Sequence, residues 1–339
     1  MNRARRSRGE AVADVGSDVA NRGETVRPPS RLAIPSVLLS VTIWGSYYPI
    51  IEFLLGSWDA VTLSWVRNVM AAGALGTLLV MSEGLRSLVQ GVPWRAVWLI
   101  GVVGVAANIL LSSYGVQYSG AVPAALISGA TPVLAALMAW WIYGQRPRWL
   151  AWLAIGLAVV GVTIVTLGGS DWDGSFLGGE VMVLAAAVTW VWYMIMTQRA
   201  MPGFSQLRAT TLTMITGAIA SSVGYGVAVV LGYGPVIYDA SASSLGMVFF
   251  SAAVSVALGT VSWNFAVSRL GATAASLFGN FVPVVAVAIA VLWGGTITWS
   301  QAMGGALVLV GVVAMQAGPR LMLRGAIAKP PTGREEGST

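Results

Sequence analysis

Residues 114–151 read YGVQYSGAVPAALISGATPVLAALMAWWIYGQRPRWLA, and residues 265–302 read FAVSRLGATAASLFGNFVPVVAVAIAVLWGGTITWSQA. Laid together without a gap at an offset of 151 residues, Val116, Gly120, Ala121, Ala124, Leu126, Pro132, Val133, Ala135, Ala139, Gly144 and Ala151 face Val267, Gly271, Ala272, Ala275, Leu277, Pro283, Val284, Ala286, Ala290, Gly295 and Ala302. A shared Ala/Val/Gly bias explains some of these identities, but it does not place a proline in the middle of two apolar runs. The second stretch repeats the first, and a repeat is read before anything else because it decides the architecture.

Composition puts the repeat in a bilayer. The chain of 339 residues is 56% hydrophobic and 9% charged, with a mean hydropathy of +0.77, whereas an ordinary soluble domain is roughly 25% charged. It contains no Cys and no His, which removes thiolate nucleophiles, disulfides, structural zinc and histidine proton relays together. The partners expected are a small-molecule substrate and the lipid bilayer, with no cofactor, no metal and no nucleic acid.

Ten apolar segments, near the ~20 residues a bilayer requires, follow one another at 34–55, 60–82, 95–116, 121–143, 148–168, 177–198, 205–231, 244–267, 272–293 and 299–318. Only helices and closed barrels satisfy their backbone groups in hydrocarbon, and runs this long without alternation are not barrel strands. The expected fold is an all-α membrane protein of ten transmembrane helices. The polar ends, residues 1–33 and 319–339, are tails, and the first, rich in Arg, Gly and Ser, should be disordered.

Loop charges set the orientation. Arg86, Arg95, Arg146, Arg148, Arg199, Arg208 and Arg269 fall on the side of the N-terminus, and Arg320, Arg324, Lys329 and Arg334 of the second tail join them there. The opposite loops carry Asp59, Asp171, Asp173 and Asp239 and no basic residue. By the positive-inside rule both termini are cytoplasmic. Five crossings per copy then turn the second copy upside down, giving two inverted five-helix repeats at 34–168 and 177–318 with a periplasmic linker at 169–176. Such repeats recur in transporters, with the substrate site near the midplane and alternating access between the copies.

The pair Trp44-Gly45 in the first span, Arg67 followed by Ala71 in the second, Pro132 and Pro283 in the fourth and ninth, and the ten-helix duplication together resemble the EamA branch of the drug/metabolite transporter superfamily. The aromatic content is similar, more distantly, to the YddG-type aromatic amino acid exporters of that family. The resemblance implies a bacterial inner-membrane exporter of small metabolites such as amino acids. The second copy has no evident counterpart to Arg67.

Candidate substrate contacts come from faces of the spans. Ser40, Trp44 and Tyr47 share a face of the first, and Trp190 and Tyr193 share one in the sixth, at an offset of 146 residues from Trp44 and Tyr47. Aromatic faces offer apolar area and hold ammonium groups by cation–π attraction of ~0.5–2 kcal/mol; packing against neighbouring helices is the competing role. Asn108 and Ser112 in the third span, Trp263 and Asn264 in the eighth, and Ser276 and Asn280 in the ninth should point inward, to neighbouring helices or to a wet cavity. Pro132 and Pro283 are candidate gating hinges, since each removes a backbone hydrogen bond, to the carbonyls of Ser128 and Gly279.

The ionisable residues within the spans are Glu52, Arg67 and Glu180, each near the outer end of its helix, where snorkelling to water competes with function. A Glu52–Arg67 ion pair is expected from their depth, and it would keep Glu52 charged and unsuited to carrying a proton. Gly156 and Gly161, with Gly304, Gly305 and Gly311, permit close helix approach, for packing or for a homodimer face.

These readings favour alternating-access export of small neutral or zwitterionic metabolites, with aromatic or other apolar amino acids foremost. A proton-coupled exporter of lipophilic cations is the alternative, for which only Glu52 and Glu180 could serve. A membrane receptor or enzyme lacks any constellation of His, Cys or paired carboxylates in the spans to support it.

Overall fold

The computed structural model describes residues 31–144, 149–167, 178–232 and 236–327, and within these the side chains of residues 272, 273, 276 and 317–327 are not described. The first tail and the linker therefore fall almost wholly outside the described residues, as do Arg146, Arg148, Asp171, Asp173, Lys329 and Arg334, whereas Arg320 and Arg324, expected in a tail beginning at 319, lie in the last helix, which continues to Ile327. Every described element is helical: α1 (Ala33–Gly45), α2 (Tyr47–Leu55), α3 (Ala60–Glu83), α4 (Trp94–Ser119), α5 (Ala121–Ser128), α6 (Thr131–Tyr143) and α7 (Trp149–Leu167) come first. They are followed by α8 (Gly179–Ala200), α9 (Gln206–Val230), α10 (Ala242–Leu270), α11 (Ala272–Gly279), α12 (Val282–Leu292) and α13 (Trp299–Ile327), with one 3-10 turn at Leu85–Leu88.

By length and apolarity, eight of the described helices can cross a membrane, or nine with the α5–α6 pair, which bends by 43°, taken as one crossing. The expected ten is not reached. The segment anticipated at 272–293 is interrupted at Asn280 and Phe281, and its apolar helical run, Leu277–Leu292, is shorter than a span. The α5–α6 bend explains itself locally. Pro132 cannot donate to the Ser128 carbonyl, and the Thr131 hydroxyl donates to that oxygen instead, at 2.5 Å. Pro132 and Pro283 both lie in the first turn of the helix that follows the break, rather than inside a continuous helix. There the missing N–H would have been unpaired anyway, so the breaks precede the prolines.

Helix starts follow side-chain caps. Asp59 accepts from the Thr62 N–H at 2.8 Å, and Ser205 from the Arg208 N–H at 3.0 Å, each satisfying a first-turn donor that the helix leaves free. Gly120 and Gly271, paired in the sequence repeat, have φ of +83° and +81°. Only glycine takes this conformation without strain, and it lets α4 and α10 turn directly into α5 and α11. Two stretches of wider winding, absent from the expectation, are Gly101–Ala107 in α4 and Phe250–Val254 in α10, both π-helical. Such bulges occur often at functional sites.

The two parts of the chain interleave: α1 packs on α10 and α12, α8 on α4, α5 and α6, α3 on α9, α5 on α12, and α7 on α13. The α7–α13 contact is backbone on backbone. A Cβ on Gly304 would meet the Gly161 carbonyl, one on Gly161 the Gly304 carbonyl, one on Gly311 the Ala154 carbonyl, while Gly156 faces open space. Gly304→Val should therefore destabilise the fold by ~1–3 kcal/mol through overpacking, and Gly156→Val should be tolerated. Thermal unfolding in detergent checks this: equal losses for the two variants would remove the close approach from the account.

The basic and acidic loops occupy opposite ends. At one end Asp59 caps α3 and accepts from the Ile237 N–H at 2.9 Å, and the Trp58 indole donates to Ser244 at 2.7 Å. There the Ser241 backbone N–H and then its hydroxyl hold the Asp239 carboxyl below the usual range, so it is charged at neutral pH. At the other end Ser205 donates to Glu83, and Arg208 donates to the carbonyls of Ser87 and Gln90.

Candidate functional site

A polar network lies where the first and second parts of the chain meet. It is built on Arg67, eight residues past the Asp59 cap of α3, whose side chain is only 4% exposed. The guanidinium Nε donates to the Ser251 hydroxyl at 3.1 Å and Nη1 to the Tyr47 hydroxyl at 3.4 Å, with the guanidinium carbon 4.8 Å from the centre of the Tyr47 ring. Tyr47 in turn donates to Ser112 at 3.2 Å, and Ser251 to the Val248 carbonyl at 3.0 Å. Tyr47 opens α2 just after the break at Ser46, Ser112 lies on α4, and Ser251 sits inside the π-helical stretch of α10. The network thus joins four helices, with two side chains in direct contact with the cation.

The expected Glu52–Arg67 ion pair is not formed. Glu52 instead accepts from the Ala121 N–H at 3.1 Å, at the start of α5, where a helix N-terminus favours a carboxylate. No carboxylate among the described residues pairs with Arg67. Glu180, in the first turn of α8, does not reach water fully either, since its Oε2 is buried without a partner.

The other candidates divide. Trp44 and Trp263 meet with ring centres 5.3 Å apart, the Trp44 indole lying on Gly259 and Trp263 beside Gly279. Trp190 stacks on Tyr193 at 5.2 Å and is 45% exposed, whereas Tyr193 is buried on Gly104. Ser40 donates to the Gly259 carbonyl at 2.9 Å and Asn108 to the Ala186 carbonyl at 2.6 Å, joining α1 to α10 and α4 to α8. Asn280 exchanges two hydrogen bonds with Gln316, at 3.0 and 3.2 Å. Asn264 lies on an exposed face, and the side chain of Ser276 is outside the described residues. Arg67, Tyr47 and Ser112 are therefore brought together, Trp44 and Trp263 form a second group, and Ser40, Asn108 and Asn280 tie helices.

Sequence reasoning missed Ser251, because nothing in an apolar span signals a π-helical stretch. It also missed Thr213, which stands 146 residues after Arg67, as the cap Ser205 stands 146 after Asp59 and Tyr193 146 after Tyr47. Thr213 lies 3.4 Å from the Tyr193 hydroxyl, the same separation as Arg67 from Tyr47. Counting from the helix caps rather than from loop arginines would have found it.

The EamA-like transporter family model matches the chain twice, over residues 31–167 and 177–316. The uncharacterized transporter YyaM of Bacillus subtilis is 27% identical over 286 residues, 83% of this chain and 93% of that protein. A probable terminal-alkyne amino-acid exporter of Streptantibioticus cattleyicolor is 28% identical over 289 residues, 83% of this chain and 92% of that protein. A solved chain described only as a protein crystal structure aligns with a TM-score of 0.56 at 17% identity, over 88% of this chain and 99% of that one; at that identity the likeness shows the fold alone.

Proposed function

This chain belongs to the EamA-like transporter family, and from that premise we propose that it exports small neutral or zwitterionic metabolites, amino acids foremost, by alternating access at the junction of its two halves. It is a transporter rather than an enzyme, and a multi-pass membrane protein. The observation that carries the substrate reading is the network of Arg67, Tyr47, Ser112 and Ser251, which joins a cation, an aromatic face and hydroxyls where helices of both halves meet. The similarity to a probable amino-acid exporter points the same way. A buried cation at the centre disfavours lipophilic cations by like-charge repulsion.

The architecture proposed with it has ten crossings in two inverted repeats, α11–α12 supplying the crossing that corresponds to α5–α6. Three pairings support this. The packing of α1 on α10 and α12 is matched by that of α8 on α4 and α6, the breaks at Gly129 and Asn280 stand 151 residues apart, and the π-helical stretches fall in α4 and α10. Both termini are placed in the cytoplasm of a bacterial inner membrane on the strength of the loop charges. Since the chain has no Cys, single cysteines report sidedness without background. Ala240→Cys should be labelled by an impermeant maleimide from outside and Arg86→Cys only after the membrane is opened; the reverse pattern would invert the topology.

The transport test is efflux from proteoliposomes loaded in parallel with radiolabelled tyrosine, leucine or ethidium. Amino acid efflux above that of protein-free liposomes, with ethidium retained, is expected. Ethidium efflux driven by a pH gradient, with amino acids retained, would replace this reading by the proton-coupled cation exporter.

A further inference from the structure

We propose that Arg67 is the seat for a substrate carboxylate, so that the site selects molecules bearing a free carboxylate over their amides and amines. The inference rests on the transporter reading above and adds the group that is recognised. A buried charge is strongly unfavourable unless its hydrogen-bond capacity and its charge are answered. Arg67 is 4% exposed, yet its partners are two neutral hydroxyls and a tyrosine ring, and no carboxylate among the described residues faces it. A guanidinium has five N–H donors. Nε and Nη1 are engaged, whereas Nη2 has no hydrogen-bond partner among the described residues. That nitrogen remains to donate to a carboxylate, with Nη1 or Nε beside it, in the planar, charge-assisted geometry that suits arginine.

The internal symmetry of the chain supplies the independent argument. Thr213 occupies the position 146 residues after Arg67 and meets the corresponding tyrosine, Tyr193, at 3.4 Å. A neutral hydroxyl thus makes the tyrosine contact that Arg67 makes at 3.4 Å in the first half. Packing at this place in the fold does not call for a cation; only one half has one, and it points at the junction. Ser251 and Tyr47 hold the guanidinium in place from different helices, Ser251 from the second half and Tyr47 from the first.

The test measures binding to purified full-length protein in nanodiscs by calorimetry, using tyrosine, tyrosinamide and tyramine, together with 3-phenylpropanoate and its amide. The parent protein should bind each acid about ten- to a hundred-fold more tightly than its amide, the discrimination expected of a charge-assisted pair. Arg67→Thr, which installs the residue found in the other half, should fold and lose that ratio. If it does not fold, the acid-to-amide ratio of the parent still decides. A preference for 3-phenylpropanoate with no binding of tyrosine would keep the carboxylate seat and reject the amino acid reading. No preference for any acid over its amide in the parent, or a ratio unchanged in a folded Arg67→Thr protein, would overturn the proposal.

Discussion

Tyr47→Ala should lower transport at subsaturating substrate by about thirty-fold while leaving folded protein in the membrane near the parent amount. The ring supplies the aromatic face over Arg67 at 4.8 Å, and the hydroxyl links Arg67 to Ser112. A desolvated cation–π contact is worth ~2 kcal/mol and a hydrogen bond ~1 kcal/mol, and about 2 kcal/mol of lost site organisation corresponds to roughly thirty-fold in affinity. Tyr47→Phe keeps the ring and should cost only about five-fold. Tyr47 is only partly buried, so its truncation need not collapse a core. A fall in abundance parallel to the fall in transport would assign Tyr47 to packing.

Tyr193→Ala should do the opposite, destabilising the protein by ~3–5 kcal/mol, the usual range for removing a large buried ring. Tyr193 is 5% exposed and packs with Val97, Ile100, Val105 and Leu212, its ring against Gly104. Detergent-solubilised Tyr193→Ala protein should unfold well below the parent temperature and accumulate poorly. A variant of normal stability that fails to transport would move Tyr193 into the substrate path. The two tyrosines match in sequence position and differ in surroundings, because the partner of one is a cation and the partner of the other a buried threonine.

The helical membrane fold was legible because long apolar runs show in the chain whatever the side-chain packing between them. The limits of α3, α7, α8 and α9 came within a few residues of the expected spans, whereas the last helix runs to Ile327, past the expected limit at 318. The interruption of α11–α12 was not legible: Asn280 stands out as a polar side chain, but its type does not say that the helix breaks there. In the site, Tyr47 and Ser112 were legible from helical spacing, but the spacing that singled out Ser40 describes a face that packs on α10. The partner of Arg67 was misjudged because depth along a helix fixes height and says nothing of azimuth. Glu52 turned to the start of α5, and Arg67 to α10.

The central claim, that substrate passes through the junction around Arg67, is tested most directly at Ser251. In a chain with no other cysteine, Ser251→Cys places a thiol of nearly the same size beside the guanidinium. In proteoliposomes of fixed orientation it should react with an impermeant thiol reagent added to either face, and saturating tyrosine should slow both reactions. A thiol that reacts from neither face, or at a rate that a transported amino acid leaves unchanged, would contradict the account.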